Sequence, residues 1–408
     1  MAKTKENAIP KLPYGEGSIS LRKDGTYVYK KNIDKKPVFV YGKSVQEVMR
    51  KMKAKEKELS EKQIEDIKET LSDAMHEWLK NYKANKLKAS SYDRLECTIK
   101  NQIDPSNIAK MRWQIITSDN IDDFIKELID KEYSWSTIKK AYDALNEFYN
   151  YMTDRKKIAD NPMILVEMPT KENVKKKVKA IEFFTEEDIV KFINEASKLM
   201  KHRNRPKYAL GFGFIFMIFT GIRAGEAIAL RWGDIDFENK TVMINKSIER
   251  VINREYDESN PELMKKKGIT KYIDKEDTTK TKATRLLALN KHAYEAITQM
   301  YKYAKFKEPT DFVFATETGV CNNISNMTRS LNAIQEKAET SVQNSGLHVL
   351  RHTNASLLFK KNLPIEIIAS LLGHSVEVCR ETYLHFVQEQ KAEAIQKLDA
   401  YNFEINIS

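Results

Sequence analysis

Between residues 15 and 60 the apolar positions first alternate and then change period. Ser18-Ile-Ser-Leu21 and Thr26-Tyr-Val-Tyr-Lys30 flank Lys23-Asp24-Gly25, the turn chemistry of a β-hairpin. A second turn at Asp34-Lys-Lys-Pro37 leads into Val38-Phe-Val-Tyr41. From Ser44, an N-cap with Glu47 three residues on, Val45, Val48, Met49 and Met52 recur at helical spacing. The pattern predicts three strands packed on one helix. Residues 56–69 are charged and lack turn formers, which fits a helical or extended tether. Across residues 72–152 four apolar stripes predict amphipathic helices: Ala74/Met75/Trp78/Leu79/Tyr82, Tyr92/Leu95/Ile99/Ile103, Ile121/Phe124/Ile125/Leu128 and Ile138/Ala141/Leu145/Phe148/Met152. Their aromatics sit at core spacing, not as a stacking platform for bases. Asn161-Pro162 ends this stretch, and a lysine-rich linker follows over residues 169–179. Phe184-Thr185-Glu-Glu-Asp188 opens a further domain with a staple residue, an N-cap and acids in the first turn. There helices alternate with short strands such as Val242-Met-Ile244 and Phe312-Val-Phe314. Residues 250–277 are polar and weakly patterned, an expected insertion within a β-hairpin.

Charge adds a partner to this picture. The 408-residue chain carries 69 basic and 58 acidic side chains, a net +11. Residues 1–60 alone hold 15 basic against 7 acidic side chains. A localised positive excess suits a polyanion, because each phosphate neutralised releases counterions; a solubilising tail is the bland alternative. Cys97, Cys321 and Cys379 are few and scattered, which points to a reducing compartment and to neither a disulfide framework nor a zinc site. No N-terminal stretch reads as a signal peptide, and the longest apolar run, residues 208–219, is too short for a membrane span. The expectation is a cytoplasmic protein without membrane association.

The chemistry lies in separated motifs. Thr220-Gly-Ile-Arg223-Ala-Gly-Glu226 supplies one arginine, with Glu226 about a helical turn later to orient it. His348-Val-Leu-Arg351-His-Thr places His348 and Arg351 on one helix face. Leu371-Leu-Gly373-His374 follows, with a glycine suited to a tight turn at a helix end, and Tyr383 comes nine residues after His374. Two guanidiniums, two imidazoles and a phenol can attack a phosphodiester without metal. Arginine forks stabilise the anionic transition state, imidazoles move protons, and tyrosine can form a covalent intermediate. His348 and His352 at i, i+4 suit zinc by spacing, but no glutamate follows His348 and no third ligand is near. His352 is expected to be a core histidine with no chemistry, and His385 to have no role. Gly42-Lys43-Ser44 looks like the end of a P-loop, yet Pro37 stands where its first glycine belongs.

These motifs, in this order over residues 180–390, resemble those of the tyrosine recombinase (phage integrase) family, most like integrases of conjugative transposons and temperate phages. The resemblance implies a multidomain chain with three parts: a small N-terminal three-stranded sheet plus helix, an all-α helical core-binding domain, and a mainly α, mixed α+β catalytic domain. The boundaries it suggests are 1–65 for an arm-type DNA-binding domain, 66–168 for the core-binding domain, 169–180 for the linker and 181–408 for the catalytic domain and tail. It implies that Arg223 and Arg351 clamp the phosphate, His348 and His374 hydrogen-bond or transfer protons, and Tyr383 is the nucleophile. A hairpin lysine is also implied: Thr279-Lys280-Thr-Lys282-Ala-Thr-Arg285 favours Lys280, with Lys282 the alternative, as acid for the leaving 5′-oxygen.

The implied reaction is site-specific recombination through a 3′-phosphotyrosyl linkage, integrating and excising a mobile element. It requires neither ATP nor metal, so no cofactor is expected. The expected partners are double-stranded attachment sites, three further copies in a homo-tetramer, an excisionase and a host DNA-bending protein. The tail after Tyr383, with Ile395, Leu398 and Tyr401 in a narrow stripe, would pack on a neighbouring protomer or fold back on its own domain. The rivals are a type IB topoisomerase-like enzyme and a non-catalytic architectural DNA-binding protein. A two-site substrate separates them by yielding recombinants, relaxation alone, or neither.

Overall fold

In the computed structural model, residues 9–10, 12–13, 15–33, 36–66, 69–174, 181–278, 284–384 and 386–387 are described. The chain divides into two compact units, residues 1–177 and 178–408.

The first unit begins with an antiparallel sheet of β1 (Ser18–Leu21), β2 (Tyr27–Ile33) and β3 (Lys36–Gly42) in that order. The turn between β1 and β2 closes through the Thr26 amide donating to Asp24 Oδ1 at 2.9 Å. Pro37 lies inside β3, opposite Asn32, so the strand starts before the proline rather than after it. β3 is an edge strand, where a missing N–H is tolerated. Helix α1 (Val45–Asp66) follows, its first turn capped by the Glu47 amide donating to Ser44 Oγ at 3.2 Å. The charged segment expected as a tether is thus largely a continuation of α1. Ile19, Tyr27, Tyr29, Val48 and Met52 form the small core. On the open face, the cations Arg22 and Lys30 lie over the exposed rings of Tyr41 and Phe39, at 5.0 and 5.6 Å.

Four helices then build a separate core: α2 (Leu71–Trp78), α3 (Ala89–Thr98), α4 (Ser118–Asp130) and α5 (Trp135–Asp154). The first two run on into wider turns, Leu79–Lys83 and Ile99–Ile103. Trp78 and Trp113 pack edge-on against Phe148, both at 5.7 Å. The predicted stripes are buried except for Tyr92 and Leu95, which are half-buried against the core, and Tyr82, which is exposed and pairs with Tyr151 at 4.7 Å.

The second unit opens with α6 (Glu186–Ala196), where Thr185 and Asp188 cap each other reciprocally. Helix α7 (Gly211–Thr220) is apolar all round and accordingly central, among α6, α10 and α12. The short α8 (Ala224–Ala229) leads into a sheet of β4 (Ile235–Asp236), β5 (Thr241–Ile244) and β8 (Arg285–Ala288). Between β5 and β8 the polar insertion is itself ordered. β6 (Lys246–Ile252) and β7 (Tyr272–Thr278) pair over seven residues, with α9 (Pro261–Lys266) between them. The pattern hid these strands because the buried residues of β6, Ile248 and Val251, lie three apart and residues 272–277 of β7 are exposed, so neither strand alternates. Five helices complete the unit: α10 (Lys291–Tyr303), α11 (Ile324–Ala338), α12 (His348–Lys360), α13 (Ile365–Leu372) and α14 (Val376–Thr382). Phe312-Val-Phe314, expected as a strand, makes only a single bridge, Phe312 to Arg231. No described helix is long and apolar enough to cross a membrane.

Candidate active site

Two helix ends organise the site. Both α7 and α13 stop at a glycine in the left-handed region, Gly221 at φ +64° and Gly373 at φ +66°. Such an end leaves carbonyls without partners in the helix. Arg351, on the first turn of α12 and only 3 % exposed, donates to the Gly221 carbonyl at 2.7 Å and the Leu372 carbonyl at 2.6 Å. A cation at two helix C-termini is also favoured by both dipoles. Arg223, entering α8, donates to the Gly373 carbonyl at 2.5 Å and to Glu226 Oε1 at 2.8 Å. The glycines are required by space as well as by φ. A Cβ on Gly221 would lie 2.5 Å from Asn354 Oδ1, and one on Gly373 2.9 Å from an Arg285 terminal nitrogen.

Glu226 sits beneath the arginines, 2 % exposed. It takes the Arg223 amide on Oε2 at 2.8 Å and a two-pronged contact from Arg285 at 2.9 and 2.7 Å. Burial raises its pKa, but the Arg285 and Arg223 contacts outweigh burial and hold the carboxyl at about 2. Arg285 was expected only as part of the hairpin motif. It is the third guanidinium of the site, and nothing in its local sequence distinguishes it from a strand arginine.

The imidazoles divide by partner. Nε2 of His374 faces an Arg351 terminal nitrogen at 2.7 Å. Since arginine only donates, Nε2 accepts and the proton belongs on Nδ1, which is buried and has no partner. Burial first, then Arg351 and Arg223, push the His374 pKa down to about 3, so the ring is neutral at pH 7. His348 begins α12 on the same face as Arg351 and is open to solvent; partial desolvation and the same two arginines lower its pKa.

Tyr383 follows the last turn of α14 and is fully buried. Its hydroxyl meets Nδ1 of His352 at 2.9 Å, and its ring packs 5.6 Å from Phe359 and 6.4 Å from Phe386. Burial pushes the phenol up to about 12 against the pull of Arg351 and Arg223. Burial, His348 and Arg351 lower His352 to about 4. A neutral ring therefore accepts the phenol proton's hydrogen bond on Nδ1. His352, expected to carry no chemistry, is the group that touches the tyrosine hydroxyl. Its i, i+4 relation to His348 put it on the right face, but no spacing rule links it to a residue 31 positions on. Lys280, Lys282 and His385 lie outside the described residues, as does the tail from residue 388. Among the described residues no group of three or more histidine, cysteine, aspartate or glutamate side chains is arranged to hold a metal ion.

The Phage integrase family model matches residues 182–390, the span holding both arginines, His348, His374 and Tyr383. The chain belongs to that family. The family's N-terminal SAM-like domain matches residues 70–129 as well. The tyrosine recombinase XerC-like protein of Caldanaerobacter subterraneus subsp. tengcongensis is 30 % identical over 345 residues, covering 81 % of this chain and 83 % of that one. The integrase of Staphylococcus phage L54a is 26 % identical over 373 residues, 85 % of this chain and 97 % of its own. The fold is similar to that of the Tn1549 transposon integrase in complex with transposon right end DNA. The TM-score there is 0.63 at 16 % identity, covering 81 % of this chain and all of the other. A lambda integrase dimer bound to a COC′ core site gives 0.55 at 15 % identity, covering 98 % of this chain and all of the other. The protein is thus a tyrosine-type site-specific recombinase, an enzyme that cleaves and rejoins DNA.

Proposed function

We propose that Tyr383 is the nucleophile and that Arg223, Arg351, His348 and His374 bind the phosphate it attacks. The phenol gives up its proton to a neighbouring base as its oxygen bonds to phosphorus, the bond to the 5′-oxygen breaks and that oxygen is protonated; a 5′-hydroxyl from the partner duplex then attacks the linkage and releases the tyrosine. The bond energy stays in the phosphotyrosine, so the cycle needs no nucleoside triphosphate. One observation carries the reading: Arg351 reaches from α12 to His374 and to the ends of α7 and α13, gathering motifs more than 150 residues apart. The unpaired N–H of His374 suits a phosphate oxygen. Tyr383→Phe should abolish the covalent protein–DNA adduct and leave half-site affinity nearly unchanged, since one hydroxyl adds little to a phosphate-dominated interface. An adduct formed by the Phe variant refutes the assignment.

The acid for the leaving 5′-oxygen is Lys280 in this reading, with Lys282 the alternative. Lys280→Ala should block cleavage of ordinary DNA far more than of DNA with sulfur at the 5′-bridging position, because a thiolate departs without a proton. Rescue seen with Lys282→Ala alone would move the role to that residue.

The unit boundaries proposed are residues 1–65 as an arm-site reader, 66–168 as a clamp on the core site, 169–180 as linker and 181–408 as the catalytic domain with its tail. The cation-on-ring face of β1–β3 supports the first, since a basic, aromatic ribbon suits a DNA groove. A lambda integrase tetramer bound to a Holliday junction has a similar fold, which supports assembly of four copies on DNA. Excisionase and a host bending protein complete the proposed partners, and integration and excision of a mobile element the proposed biology.

A further inference from the structure

Arg285 stands apart from the two clamping arginines in what its fork does. It opens β8, opposite Ile244 of β5, and directs both terminal nitrogens onto Glu226. Its side chain is 11 % exposed, and its Nε is buried without a partner. Glu226 in turn holds Arg223 at two points, the main-chain amide and one terminal nitrogen. The other terminal nitrogen of Arg223 rests on the Gly373 carbonyl, and an Arg285 terminal nitrogen lies beside the same glycine, 2.9 Å from where a Cβ would stand. One buried carboxylate therefore serves two guanidiniums, and only Arg223 of the two was expected to act at the site.

We infer that Arg285 is a positioning residue: by occupying both oxygens of Glu226 it fixes the carboxylate that aims Arg223 at the phosphate. Without it, a buried carboxylate would keep Arg223 as its only cation and draw that guanidinium toward itself, away from DNA. Arg285 also opens the strand shortly after the segment that carries Lys280 and Lys282, so the carboxylate ties the first arginine to the strand that follows that segment. This rests on reading Arg223 as a phosphate clamp.

The test is single-turnover cleavage of a nicked half-site by the full-length protein, followed against DNA concentration and pH. Arg285→Ala should slow the maximal rate about 10–100-fold, the usual cost of removing a supporting contact of this kind. The half-saturating DNA concentration should hardly move. Burial then raises the Glu226 pKa unopposed by Arg285, so the rate should begin to fall at higher pH on acidification than in the wild type, where the carboxyl titrates at about 2. Arg285→Lys, which keeps the charge and loses the fork, should recover the pH profile but not the rate, and guards against a merely unfolded Ala variant. In a Glu226→Gln background, Arg285→Ala should add almost nothing. Wild-type cleavage by Arg285→Ala overturns the inference, as does a loss confined to DNA affinity or one that multiplies in full with Glu226→Gln. A wild-type chain that forms no adduct would instead overturn the reading of the active site itself.

Discussion

Arg351 and Arg223 rest on three main-chain carbonyls, a buried carboxylate and a histidine, whereas the Tyr383 hydroxyl makes one hydrogen bond inside an aromatic cluster. The arginine side is built from helix ends whose positions the core of the unit fixes. Charge there is already oriented before any phosphate arrives, which is what makes it effective in a transition state. The tyrosine side is held mainly by apolar packing among Phe359, Cys379 and Phe386, which is not directional. A phosphate cannot touch a hydroxyl that is wholly covered, so the role proposed for Tyr383 requires the covering to shift before attack. The two sides divide the labour: one is rigid and electrostatic, the other closed and releasable at the cost of one hydrogen bond and some packing.

The comparison breaks most visibly at Arg351. Arg351→Lys keeps a positive charge, but one ammonium cannot reach the Gly221 and Leu372 carbonyls and His374 together. Single-turnover cleavage should fall roughly 10²–10³-fold. A loss under tenfold would mean that charge alone, rather than orientation, is what this side provides.

Gly373→Ala asks whether the chain path matters without removing any functional group. The added Cβ would meet Arg285 at 2.9 Å and Arg223 at 3.4 Å, on a backbone at φ +66°. Left-handed alanine costs about 1–2 kcal/mol, which for a unit of this size lowers the melting temperature by roughly 2–8 °C. Cleavage should fall by about tenfold or more, beyond what lost stability explains, because the Arg285 guanidinium must move off the position from which it holds Glu226. Cleavage at the wild-type rate in the folded variant would show that the arginine side tolerates displacement.

The smallest effect belongs to the tyrosine side. His352→Phe removes one neutral hydrogen bond, worth about 1 kcal/mol, while His352→Asn retains an acceptor near Nδ1. The Phe variant should melt a few degrees lower and expose Tyr383 to nitration; the Asn variant should resemble the wild type. Equal nitration in all three proteins would show that packing alone keeps the phenol covered.

Sequence and geometry overlap unevenly across these residues. Arg223, Arg351, His374 and Tyr383 were legible because each stands in a short motif whose spacing survives without knowledge of the fold. The four helical stripes were legible for a similar reason: a single period fixes which face is buried. Arg285 was not, since its importance comes from Glu226, which is distant in sequence and carries no pattern linking the two. The His352 contact was not legible, because a half-buried histidine on a helix has the same local appearance whether or not a phenol lies across from it. The β6–β7 ribbon was missed because the buried residues of β6, Ile248 and Val251, lie three apart and residues 272–277 of β7 are exposed, so neither strand shows the alternation that announces one.

The three anchors beneath the arginines are peptide oxygens, and that choice bears on how such a site can drift over time. Substituting a neighbouring side chain cannot delete a carbonyl, so these anchors depend on the course of the main chain at Gly221, Leu372 and Gly373 rather than on the side chains that stand there. What cannot vary is the left-handed step at each helix terminus, where any added side chain strikes the neighbouring groups. For the anchors themselves, selection then falls on two small residues with no functional group at all. A chain sharing a quarter of its residues with a relative can keep the same guanidinium geometry by keeping two bends.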